Sequence, residues 1–163
     1  MGKLDERLAV VTGTSRGIGR AIAALFAKAG ARVAGCAREA QAGSFLDDLT
    51  PDERCRCLHT TCDVRSQSDV TRFRDEVHAT LGSPAIVVNN AGTVARQSAL
   101  TMTLETWNDV LASNLTGTFL VTQAFLPAMQ SRRSGRIINL SSIAGRAGPA
   151  MLSAYCAAKH GVV

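Results

Sequence analysis

The chain has 163 residues, 46% of them hydrophobic and 19% charged, with a formal net charge of +5. That balance suits one globular domain over residues 1–163 and excludes a disordered or collagen-like chain. No apolar run nears the ~20 residues of a membrane span, residues 1–7 lack the apolar stretch of a secretory signal, and the dispersed arginines do not form the aromatic-interleaved basic run of a nucleic-acid binder.

Five cysteines lie scattered at Cys36, Cys55, Cys57, Cys62 and Cys156. An odd, irregularly spaced set fits reduced thiols in a cytoplasmic protein rather than a disulfide framework. The positive balance draws anionic small molecules.

In chain order, Leu8 to Thr12 forms a short apolar strand. Residues 17–29 carry Ile18, Ile22, Leu25 and Phe26 at helical spacing, and Gly30 stops them. Arg32 to Cys36 is a second strand, residues 39–49 a weak helix broken at Thr50-Pro51, and Cys57 to Cys62 a third strand. Gln67 to Thr80 is a polar-faced helix stopped at Gly82, and Ala85 to Asn89 is a fourth strand, apolar as a strand buried on both faces must be. A long helix over 103–130, a fifth strand from Arg136 to Leu140 and a last helix from about Ser153 complete the pattern. Strand–helix alternation predicts a parallel sheet with helices on both faces, and a ligand outside the carboxyl ends of the strands.

The first strand runs into Gly13-Thr14-Ser15-Arg16-Gly17-Ile18-Gly19. Glycines let backbone approach a pyrophosphate, and the helix that follows offers unpaired N–H groups and a positive dipole end. At the end of the second strand an acid would hold the ribose 2′-hydroxyl of NAD, whereas an arginine pairs with the 2′-phosphate of NADP. Ala37-Arg38 stands there, with Arg16 in the turn as a second guanidinium and Glu39 too late for the acidic role. The expected cofactor is NADP(H), with NAD(H) the open alternative.

Tyr155 and Lys159 stand one helical turn apart on one face. A free phenol is a poor acid or base at neutral pH, and a nearby cation favours its phenolate. Ser142 lies thirteen residues before Tyr155 and Asn114 twenty-eight before Ser142.

Together with Asp63-Val64 and Asn89-Asn90-Ala91-Gly92, these pieces resemble the short-chain dehydrogenase/reductase family in its single-domain branch, in order and spacing, across essentially the whole chain. The resemblance implies a Rossmann-type doubly wound sheet in the order 3-2-1-4-5. It implies Tyr155 as proton donor to a carbonyl, Ser142 as the group that positions the oxygen, Lys159 as modulator of Tyr155 and ribose holder, and Asn114 as holder of a relay water. Asp63 would contact the adenine edge beside Val64, and Asn90, Ala91 and Gly92 would line the adenosine ribose side. The motifs are most similar to those of 3-oxoacyl-[acyl carrier protein] reductases of fatty-acid metabolism. The implied partners are a small carbonyl substrate, carried on acyl carrier protein or coenzyme A, and sister subunits in a homodimer or homotetramer. No metal is expected.

Members of that family run some eighty residues further, so the chain reads as C-terminally truncated, with the last family strands missing and the fifth strand left as an apolar edge. The alternative reading is a non-catalytic cofactor-binding or oligomer-modulating fragment. Cys55, Cys57, His59 and Cys62 resemble zinc ligands by type, but alternate residues of a strand lie ~6.6 Å apart, too spread for one tetrahedral site. Arg132 and Arg133 close the long helix, where they compensate its dipole or dock an acidic carrier. Trp107 is expected to serve packing or an interface.

Overall fold

The computed structural model describes residues 2–39 and 43–163. Five parallel strands form one sheet, β1 (Leu8–Thr12), β2 (Arg32–Ala37), β3 (Cys57–Thr61), β4 (Ile86–Asn89) and β5 (Arg136–Asn139), in the order β3-β2-β1-β4-β5. This is the doubly wound order expected from the sequence. Val10 sits opposite both Ala34 and Val87, so β1 is central, and all five of its residues are buried.

Because strand side chains alternate, β1 feeds two cores. Leu8 and Val10 join Val87, Phe73, Val77, Phe125 and Met129 beneath α3 (Gln67–Thr80) and α5 (Gly117–Ser131). Phe73 and Phe125 meet edge to face at 5.9 Å. On the opposite face Val11, Val33 and Val88 pack against α1 (Gly17–Lys28).

The contact face of α1 differs from the expected one. Ala23, Ala24 and Ala27 are buried, whereas Ile18 and Leu25 stay 67% and 65% exposed, and Ile22 and Phe26 reach only the rim. A stripe of alanines lets the helix lie close to a sheet face already filled by valines.

Two further expectations change. In place of a weak helix over 39–49 there is one 3-10 turn, Phe45–Asp48, capped by Ser44; positions 40–42 of that span lie outside the described residues. Thr50-Pro51 opens a helix instead of breaking one. Thr50 caps α2 (Pro51–Arg54), its hydroxyl accepting from Glu53 N while Glu53 accepts from Thr50 N, with proline at the first helical position.

The long helix is likewise interrupted. α4 (Leu104–Leu111) passes through a π turn, Ala112–Thr116, into α5. Asn114 causes a local conflict, because its side-chain amide donates to Val110 O at 2.9 Å, taking a carbonyl of the helix ladder. α6 (Ser153–Val162) starts where expected. β5 lies at the sheet edge with every residue exposed, Ile137 and Ile138 at 36% and 44%.

Candidate active site

The turn after β1 is held by backbone. Gly13 N and Thr14 N both donate to Cys36 O, at 2.8 and 3.0 Å, fastening it to the end of β2. Gly13 and Gly17 adopt φ of +74° and +59°, the left-handed region that glycine enters without strain. A Cβ at Gly19 would strike Gly13 O and the Asn90 amide, so the helix enters with no side chain between it and the turn. α1 has no side-chain N-cap and no acid in its first turn, which leaves its leading N–H groups and dipole end free for an anion.

A cavity of about 430 Å³ opens beside this turn. It is lined by Gly13, Ser15, Arg16, Gly17 and Ile18 of the turn, by Arg38, Asp63 and Val64 from the ends of β2 and β3, and by Asn90, Ala91 and Gly92 after β4. Of the residues assigned to the cofactor, Gly19 acts as the packing glycine just described, and Tyr155 and Lys159 lie apart on α6. Ala37, where the sequence lacks an acid, lines the cavity as well, together with Cys62, Thr93 and Ser113, which the sequence did not assign to it. For Ser113 a signal existed in its place next to Asn114; the others carry no motif.

Several side chains have partners that spacing did not reveal. Asn90 lines the cavity, yet its amide donates to Thr12 O and Gly13 O, at 2.9 and 3.2 Å, so it braces the turn. The buried Thr12 hydroxyl accepts from Asn90 N and Ala91 N. Arg16 and Arg38 are exposed at the cavity, and neither enters an ion pair among the described residues. Glu39 does not line the cavity.

At the other end, Asn114 is buried in the π turn with its amide donating to Thr93 O at 2.7 Å and to Val110 O. Its Oδ1 is buried without a partner, next to Gly92. An orphaned carbonyl of this kind suits a bound water.

Lys159 is buried, and its ammonium donates to Leu140 O at 2.6 Å. It lies 5.7 Å from the centre of the Tyr155 ring, and burial pulls it below the usual lysine range. Ser142 ends the β5 loop, where its Oγ accepts from Ala144 N at 3.2 Å. Among the described residues no hydrogen bond joins Ser142 to Tyr155. Ser141 donates to Lys159 O at 3.0 Å and so ties α6 to the end of β5. Ser142 and Lys159 thus each meet a backbone partner beyond the end of β5, and Tyr155 presents its ring to the Lys159 ammonium.

A family model for short chain dehydrogenases matches residues 7–163. The chain belongs to this family. A 3-oxoacyl-[acyl-carrier-protein] reductase of Vibrio cholerae is 38% identical over 98% of this chain, and an NADPH-dependent pterin aldehyde reductase of Arabidopsis thaliana is 36% identical over 96% of it. The chain spans 64% of the length of each. A crystal structure of a candidate gluconate dehydrogenase from Agrobacterium tumefaciens superposes with a TM-score of 0.88 at 29% identity, covering 98% of this chain and 63% of that one. Members are oxidoreductases that bind nicotinamide cofactors, and the phosphate cradle described above has the features that such a group requires.

The remaining features carry other work. Cys55 and Cys57 donate to the carbonyls of Asp52 and Glu53, and Cys62 is buried in the core beneath α3 and α5. Among the described residues no three His, Cys, Asp or Glu gather as a metal site. Arg132 donates to the carbonyls of Ser83 and Pro84, bracing the loop before β4. Trp107 borders a small hollow with Met102, Leu104 and Ser153. No helix among the described residues is long and apolar enough to cross a membrane.

Proposed function

We propose that this protein is an NADP(H)-dependent carbonyl reductase acting on a 3-oxoacyl thioester. The observation that carries the reading is a cavity whose glycine turn is flanked by two guanidiniums, Arg16 and Arg38, with no ion partner among the described residues and with Ala37 where an acid would stand. Free guanidiniums at that position suit a 2′-phosphate. The Arabidopsis relative is named for its use of NADPH.

The residues divide the work as follows. The turn and the α1 N-terminus hold the pyrophosphate, Asp63 and Val64 the adenine, and Asn90, Ala91 and Gly92 the adenosine ribose side. When bound, the nicotinamide supplies the hydride. Ser142 gives a hydrogen bond to the substrate oxygen, and Tyr155 passes its proton to that oxygen as the charge develops. The Lys159 ammonium favours the phenolate that remains, and would hold the ribose of a bound dinucleotide. The orphaned Asn114 Oδ1 holds the water that reprotonates the site.

The Vibrio relative is named for acting on 3-oxoacyl groups of acyl carrier protein, which supports an acyl group on that carrier; a coenzyme A thioester as substrate and a working homodimer or homotetramer are part of the same proposal. All five cysteines are free thiols, which supports a reducing, cytoplasmic setting.

The test mixes the purified protein with acetoacetyl-coenzyme A and either NADPH or NADH, following the loss of reduced-nicotinamide absorbance. Oxidation of NADPH at a rate at least about tenfold above that of NADH is expected. Binding of NADPH without turnover of any thioester would favour a non-catalytic cofactor-binding role.

A further inference from the structure

Asp63 does not face the cavity alone. Arg65, two residues on, wraps back over it: Arg65 Nε lies 3.0 and 2.9 Å from the two carboxylate oxygens, Nη2 lies 2.6 Å from Oδ2, and Arg65 N donates to Oδ1 at 3.0 Å. The other arm of the guanidinium bonds Asp109 on α4. Asp63 N in turn donates to Asp69 at the start of α3. The carboxylate is therefore tied through Arg65 to α4 and the Asp63 backbone to α3, while Asp63 remains part of the cavity wall with Arg38 and Val64.

We infer that Arg65 is a positioning residue that selects the base of the dinucleotide, by holding Asp63 as an oriented, acceptor-only group toward a base that carries an exocyclic amine. The inference rests on the cofactor reading above. At neutral pH an aspartate is ionised and so accepts and does not donate; the guanidinium, which lowers its pKa further, fixes the direction in which it accepts. Adenine presents an amine N–H at the required edge; hypoxanthine presents a carbonyl oxygen, which a carboxylate repels. Without Arg65 the carboxylate would be free to turn toward water, and the choice between bases would fade.

The experiment compares dissociation constants of NADPH and its hypoxanthine analogue for the protein and for Arg65→Leu and Arg65→Gln, with circular dichroism confirming each fold. The protein is expected to prefer NADPH by about tenfold. In Arg65→Leu that ratio falls to within about twofold, through loss of NADPH affinity alone. Arg65→Gln keeps most of the side-chain bulk without the charge or the fork, and gives the same loss of preference if the leucine variant does not fold. A merely structural role would weaken both ligands alike and leave the ratio unchanged, which overturns the inference. Equal binding of the two by the unaltered protein also overturns it. Binding of neither overturns the cofactor reading, and this inference with it.

Discussion

The carboxyl ends of β1, β2 and β3 and those of β4 and β5 are built in different ways. On the first side every residue of β1 and all of β2 but Arg32 are buried, and the turn is held through backbone donors to Cys36 O. On the second, β4 is buried but for Ile86, and among the described residues Ser142, Tyr155 and Lys159 are not hydrogen-bonded to one another. Phosphate recognition uses main-chain N–H groups, whose direction is set once the strand, turn and helix form. The proposed proton transfer would use side-chain rotamers, whose hydrogen bonds often tighten only around a bound substrate. The turn is thus fixed by backbone contacts, whereas on the proposed function Ser142, Tyr155 and Lys159 would come into register around a substrate.

The largest expected effect separates the two ends outright. Tyr155→Phe removes the proton donor and leaves the cradle untouched. Carbonyl reduction should fall by about 10³-fold while the NADPH dissociation constant stays within about twofold. Steady-state rates and a fluorescence titration check this, and a parallel loss of cofactor affinity would break the division.

Arg38→Asp probes the binding end by charge. It places an acid beside the cavity and removes a guanidinium that has no other ion partner among the described residues. The preference for NADP over NAD should drop by about 10–100-fold, read from the ratio of the two dissociation constants. Unchanged discrimination would leave the 2′-phosphate reading without support.

Gly19→Ala tests how rigid the cradle is. The added methyl meets Gly13 O and the Asn90 amide, so the protein should lose about 1–3 kcal/mol of stability and bind NADPH more weakly. Denaturant unfolding and a cofactor titration measure both. Normal binding would mean that the turn can shift.

The smallest effect concerns His59, half-buried on β3 and 5.9 Å edge to face from Phe45. Burial holds its imidazole below the ordinary histidine value in the fold. The unfolded chain therefore takes up the proton first as pH falls. Stability is full above about pH 6.5 and is lost as pH drops from there through the depressed folded value. His59→Phe keeps the aromatic contact and should flatten that loss, by at most about 1 kcal/mol, in melting curves between neutral and mildly acidic pH. An equal slope in the variant would place the acid sensitivity elsewhere.

How far each region could be read in advance follows the same division. The glycine turn and the pair Tyr155 and Lys159 depend on spacings of a few residues, which strand, turn and helix geometry translates directly into space. The alanine face of α1 was hidden, because Ile18 and Leu25 have the stronger apolar signal and yet face outward. Thr50-Pro51 looked like a stop because proline ends helices as well as opening them; the reciprocal bonds of Thr50 and Glu53 decide which. The π turn at Asn114 depends on one side chain competing with the backbone for Val110 O. Arg65 carried no motif, since its meaning lies in meeting Asp63 and Asp109 from separate elements.

By itself, then, the sequence determined the alternating parallel architecture and the glycine turn, and it nominated the side chains of the proposed chemistry, because each follows from short-range periodicity and residue chemistry. The tertiary structure decided which face of α1 packs, that Asn90 braces the turn, that Lys159 rests on Leu140 O, and that Asp63 is gripped by Arg65. Most are contacts between residues distant in the chain, and even the short-range grip of Arg65 on Asp63 is oriented by the distant Asp109, so only packing selects among them.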